Sequence, residues 1–144
     1  METMNRVFVY GALRRGALHA WRMETAEFLG EASVTGTMVA VDWYPGLVLE
    51  GENTIRGEVY AVSEHLLASL DSFEGIGEEA NHTGEYERVE AEVTLSGEAE
   101  KVWVYEWQKG VEGYQEVVSG DWLSEPAARG RKRPQRTLAE GENP

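Results

Sequence analysis

The segment from residue 85 to residue 107 limits the fold more than any other stretch of this chain. Residues 85–95 alternate strictly. Val89, Ala91, Val93 and Leu95 share one face; Tyr86, Arg88, Glu90 and Glu92 share the other. A period of two predicts a strand. Ser96-Gly97 followed by Glu98 reads as a hairpin turn, and residues 101–107 (KVWVYEW) return as the partner strand. That partner is apolar or aromatic on both faces, so both faces are expected to be covered.

The remaining segments suggest the cover. Residues 6–10 (RVFVY) read as a buried strand entering a tight turn at Gly11. Apolar spacing over 17–29 predicts a short or broken helix. Residues 33–41 and 47–49 read as strands around a Trp-Tyr-Pro-Gly turn at 43–46. Residues 54–62 read as a further strand, with Glu52-Asn53 as turn residues before it. Ser63 suits a helix N-cap. Leu66, Leu67, Leu70 and Phe73 then recur at helical spacing over 64–74, and Gly75 suits the C-terminal cap. A polar loop is expected over 76–84. Five or six strands with two short helices in mixed order predict an α+β fold or a small barrel, not a βαβ repeat.

The chain has 144 residues, enough for one domain. It contains no cysteine, which excludes disulfides, thiolate metal sites and a cysteine nucleophile. The formal net charge is −13, which argues against general nucleic-acid binding. Residues 125–144 hold five of the 13 basic and three of the 26 acidic residues, leaving the first 124 with 8 and 23, a net of −15. The expected organisation is therefore a domain over 1–124 and a basic, Pro-containing tail over 125–144. Apolar runs fall far short of the ~20 residues that span a bilayer. The N-terminus lacks the pattern of a secretory signal, so the expected location is cytoplasmic, with no membrane partner. A monomer or weak homo-oligomer is expected.

Three places can carry chemistry. Tyr10-Gly11-Ala12-Leu13-Arg14-Arg15-Gly16 follows a strand directly, and such a turn can aim several backbone N–H groups at one anion. The same residues also suit a plain turn with two solvated arginines. Leu70-Asp71-Ser72-Phe73-Glu74-Gly75 puts two carboxylates on the last turn of a helix. The negative end of the helix disfavours ionised Glu74, and partial burial raises its pKa further, as a general acid/base requires. A surface glutamate decorating a helix end is the alternative. Tyr86 and Arg88, beside Tyr105 and Trp107 of the partner strand, could line a pocket or form a cross-strand cluster that serves stability alone. His19, His65 and His82 have no metal or triad spacing, so no metal is expected.

Together these places resemble the γ-glutamylcyclotransferase-like family, in its bacterial, γ-glutamylamine cyclotransferase-like branch. Val7–Gly16 is similar to that family's first strand and Tyr-Gly-Ser/Thr-Leu loop. Gly57-Glu58-Val59-Tyr60 leading to Leu70–Gly75 resembles its Leu-Asp-x-x-Glu-Gly signature. Tyr86-Glu87-Arg88-Val89 looks like its Tyr-x-Arg strand, and Val104-Tyr105 with Ser119-Gly120-Asp121-Trp122 looks like its closing motif. The resemblance spans residues 6–122. It implies a small mixed β-barrel flanked by short helices, with a cavity at one end. It also implies cofactor-free closure of a γ-glutamyl amide or amine to 5-oxoproline with release of the amine. Glu74 takes the position of the general acid/base, and Gly11, Ala12 and Leu13 that of the carboxylate-binding loop. Tyr10, Tyr86, Arg88 and Tyr105 complete the expected substrate contacts. Ala12 stands where the family commonly has Ser or Thr, so backbone donation survives and a hydroxyl contact is lost. A non-catalytic module binding a small carboxylated ligand in the same cavity is the alternative function, and a protein recruiting an acidic partner through its basic tail is a third.

Overall fold

The computed structural model describes residues 4–76 and 84–129. Six strands run β1 (Met4–Val9), β2 (Glu27–Ala40), β3 (Pro45–Ser63), β4 (Tyr86–Leu95), β5 (Glu98–Trp107) and β6 (Gln115–Glu116). They form one mixed sheet in the order β3-β1-β5-β4-β2-β6, and β2 pairs with β3 as well. That extra pairing curls the sheet back on itself, giving a partly closed, barrel-like α+β fold. Among the described residues only the β1–β5 pairing is parallel.

The alternation seen in the sequence decides what lies inside. Phe8, Val59, Val93, Val102 and Val104 point into the ring and pack with Met38, Leu47, Ile55 and Trp122. Val7, Val9, Tyr60, Val62 and Tyr105 point outward and cluster with Leu67 and Leu70 of α1 (Glu64–Phe73), the one α-helix among the described residues; Trp107 joins the same cluster and packs against Tyr86 and Tyr114. Both faces of β5 are thus covered over Val102–Trp107, while Glu98, Ala99 and Lys101 near its start stay exposed. The hairpin turn is Ser96-Gly97, both with positive φ (53° and 82°), the geometry of a type I′ turn.

Helix α1 is bounded by local chemistry. The Ser63 hydroxyl accepts the Leu66 N–H at 3.1 Å. At the other end Glu74 is the cap residue and Gly75 turns left-handed at φ 82°. Gly75 N–H donates to Ser72 O and Ile76 N–H to Asp71 O, the paired bonds of a Schellman motif.

Several expectations are corrected. Residues 17–29 form no helix: a short 3-10 turn covers Ala20–Met23, and β2 begins at Glu27. Pairing of Glu27–Glu31 with Glu58–Ala61 outweighs a weak helical spacing. The 43–46 turn lies earlier, because Val41 and Asp42 N–H groups close on Tyr44 O while Pro45 and Gly46 already belong to β3. Glu52-Asn53 is no turn either. The register jumps there from Thr37↔Val48 to Gly36↔Asn53, a bulge within one long strand. Strand β5 starts three residues earlier than expected, and β6 was not foreseen. The 76–84 loop lies mostly outside the described residues, as do residues 130–144 of the tail. Packing continues past residue 124, however: Ala128 is buried in the same core cluster as Trp122.

Candidate active site

One cavity of about 220 Å³ opens at the end of the ring where β1 and β5 finish and β3 and β4 start. This is small beside the roughly 300–1,000 Å³ of sites for drug-sized ligands. Its floor is the loop after β1. Arg14 N–H closes a turn onto Gly11 O at 3.0 Å, and His19 N–H reaches Ala12 O at 2.9 Å. Ala12 and Leu13 are the central residues of that turn, and their own N–H groups have no acceptor among the described residues. A turn of this kind presents its central amides outward. The loop lies hard against β3: a Cβ on Gly11 would come within 2.6 Å of the Pro45 ring, so glycine is required for this close approach.

Glu74 forms the facing wall, at the negative end of α1. It is partly buried and lines the cavity. Its pKa is pushed up to about 8, first by burial and then by the carboxylates of Asp71 and Glu85, against the pull of Arg22. Asp71 is itself held firmly. Arg88 grips it in bidentate fashion, Nε to Oδ1 at 2.8 Å and Nη2 to Oδ2 at 3.1 Å, and the Tyr105 hydroxyl donates to Oδ1 at 2.7 Å. Tyr10 donates to Tyr105 O, and Tyr86 donates to Pro45 O at 2.6 Å. Burial is the main cause that raises all three of these tyrosines well above their ordinary pKa, with the nearby Glu74 charge adding to it. They are neutral hydroxyl donors at physiological pH.

Tyr10, Gly11, Ala12, Leu13, Glu74, Tyr86 and Tyr105 therefore share one cavity. Arg88 does not line it; the guanidinium lies behind the wall, paired with Asp71 and stacked 4.3 Å over the Trp103 ring. Arg14 is not solvated but buried, whereas Arg15 is exposed. Sequence reasoning missed the opposite lip, built from Trp43, Tyr44, Phe73 and Glu85. The adjacent Trp43-Tyr44 beside a proline was the signal available, and it was read only as a turn. Among the described residues no cluster of His, Asp and Glu is placed to hold a metal ion, and no helix is long and apolar enough to cross a membrane.

Residues 7–124 match the family described as "Gamma-glutamyl cyclotransferase, AIG2-like". The chain belongs to this family. It is 37% identical over 119 residues to the γ-glutamylcyclotransferase family protein YtfP of Escherichia coli, covering 82% of this chain and 96% of that one. It is 34% identical over 121 residues to the γ-L-glutamyl-butirosin B γ-glutamyl cyclotransferase of Niallia circulans, covering 83% and 76%. Among solved structures, an uncharacterised Pyrococcus horikoshii protein superposes with a TM-score of 0.65 at 28% identity, covering 83% of this chain and 91% of that one. A mouse AIG2-like protein shares the fold with a TM-score of 0.69 at 24% identity, covering 94% and 99%. The protein is an enzyme of the γ-glutamylcyclotransferase type, and the cavity that holds its family motifs is the candidate active site.

Proposed function

We propose that this cyclotransferase acts on a small γ-glutamyl amide or amine, with Glu74 as the general acid/base. The substrate's α-amine attacks its own γ-carbonyl, a new C–N bond closes the five-membered lactam, and the bond to the leaving amine breaks. The products are 5-oxoproline and the free amine, so atoms balance with no further reactant. An α-ammonium has no lone pair, so a base must first take its proton. The leaving nitrogen must then receive one. A carboxyl with a pKa of about 8 is matched to an α-amino group, whose pKa lies near 8, and can carry the proton in both directions.

The single observation that carries this reading is that Glu74, raised in pKa, shares a small cavity with the unpartnered amides of Ala12 and Leu13. Those amides are the proposed site for the substrate's α-carboxylate, a role that needs no side-chain hydroxyl at position 12. Ring closure is intramolecular, so gripping one end of the molecule in a folded conformer removes much of the barrier. Tyr10, Tyr86 and Tyr105 supply the neutral, largely apolar walls that keep it folded.

A panel of γ-glutamyl peptides, amides and amines assayed for 5-oxoproline tests the proposal. At least one compound should be turned over, and Glu74→Gln should lower its rate by about 10²–10⁴ while the circular dichroism spectrum stays unchanged. A Glu74→Gln variant with most of its activity would remove this residue from the mechanism.

A further inference from the structure

Two buried charged side chains take no part in the chemistry above. Glu58 on β3 and Arg14 in the loop are 4% and 8% exposed. They are paired, with Arg14 Nε donating to Glu58 Oε2 at 2.8 Å. Arg14 Nη1 donates to Asp121 Oδ1, also at 2.8 Å. The second Glu58 oxygen accepts the backbone N–H of Arg15 at 3.0 Å. Asp121 in turn caps the 3-10 turn Trp122–Ser124 by accepting the Leu123 N–H. Three segments far apart in the chain thus meet on one guanidinium.

Stability is a poor explanation for this cluster. Desolvating a buried ion pair roughly cancels the attraction it gains, and apolar side chains of similar volume usually do as well. A planar guanidinium held by two carboxylates provides fixed geometry instead. Its grip falls on residues 14 and 15, immediately after the free amides of Ala12 and Leu13. The height of Glu58 is itself fixed, because at Gly57 a Cβ would meet Val9 O at 2.2 Å, so β3 lies directly against the end of β1. Pro45 presses on Gly11 at the loop's other end. None of Glu58, Arg14 and Asp121 touches the cavity.

We infer that Glu58, Arg14 and Asp121 form a positioning clamp that presets the Ala12 and Leu13 amides for the ligand's carboxylate. The inference rests on the carboxylate-binding role proposed above for that loop. It assigns these three residues an effect on one functional group of the ligand, exerted through the backbone.

The test compares two lactams that differ only in that group, 5-oxoproline and 2-pyrrolidinone. Each is titrated by NMR into the native protein, Glu58→Gln and Asp121→Asn. Native protein should prefer 5-oxoproline. Glu58→Gln should lose this preference by about tenfold to a hundredfold, the scale of effect expected from a slightly misplaced binding group, while its affinity for 2-pyrrolidinone stays the same. Asp121→Asn should show a smaller loss in the same direction. A clamp serving only the fold would weaken both lactams together, and that result overturns the inference. So does a folded Glu58→Gln that keeps the full preference. Should Glu58→Gln fail to fold, an unchanged preference in Asp121→Asn, whose side chain is 30% exposed, overturns it equally. Equal binding of both lactams by the native protein overturns the carboxylate reading itself and the clamp with it, an outcome visible before any substitution is made.

Discussion

Glu74 owes its character to where one helix stops. Had α1 ended a turn later, the carboxylate would sit mid-helix, away from the negative terminus and from the cavity. Its raised pKa has a thermodynamic consequence. The folded protein keeps the proton up to about pH 8, whereas the unfolded chain releases it near its ordinary value of 4.5. Stability from this group is therefore complete below pH 4.5 and is lost as pH rises through 8. Gln cannot ionise, so Glu74→Gln should gain on native protein between pH 5 and pH 9, on the order of a few kcal/mol at ~1.4 kcal/mol per pKa unit. Denaturant melts at the two pH values check this; parallel curves for both proteins would contradict the burial. Asp71 should set the catalytic pH range. Its charge raises the Glu74 pKa, and Asp71→Asn removes that charge and leaves Arg88 beside the site unneutralised. Both changes favour ionised Glu74, so the acidic limb of the kcat/KM profile should move to lower pH. A limb that stays in place would show that Asp71 does not act on Glu74.

At the scale of elements, α1 depends on its C-terminal glycine. Gly75 sits at φ 82°, where a Cβ is disfavoured. Gly75→Ala should lower stability by about 1 kcal/mol or more and also reduce turnover, since the neighbouring cap residue is Glu74; thermal melts and rates measured together check both. This helix and the β4–β5 hairpin were legible in the sequence because their signals are local: a serine cap, helical spacing and a glycine stop for one, strict alternation and Ser-Gly for the other. The start of β2 was not legible. Its ladder partners Glu58–Ala61 lie about thirty residues away, and nothing within 17–29 reports them. Arg88 shows the same limit at the site. Alternation placed it on the correct face with Tyr86, but its partner Asp71 comes from the preceding helix, so a residue expected to touch the ligand instead anchors the turn that carries Glu74.

At the scale of the molecule, charge is the feature that packing does not explain. Residues 130–144 carry four basic and two acidic residues, so the first 129 hold the same net −15 as the first 124. Cutting the chain after Arg129 should leave stability and turnover nearly unchanged. Cutting after Leu123 removes the buried Ala128 and should lower stability by about 1 kcal/mol, roughly the scale of a lost small apolar group. The acidic body should also act on the ligand before it binds. Glu85 lines the cavity itself, Glu74 beside it keeps its proton up to about pH 8, and backbone amides hold an anion there against the field of the surrounding acidic residues. A γ-glutamyl compound with an acidic leaving group should therefore be opposed by the body's field, and one with a cationic leaving group favoured by it. Salt weakens both effects, because the Debye length falls from about 30 Å at 0.01 M to about 8 Å at 0.15 M. Across that range kcat/KM should rise for the acidic compound and fall for the cationic one, each more steeply after the basic segment 130–144 is removed. Two substrates from the panel and one salt series suffice to measure it. Identical salt responses for the two compounds would show that the field of the body does not reach the cavity.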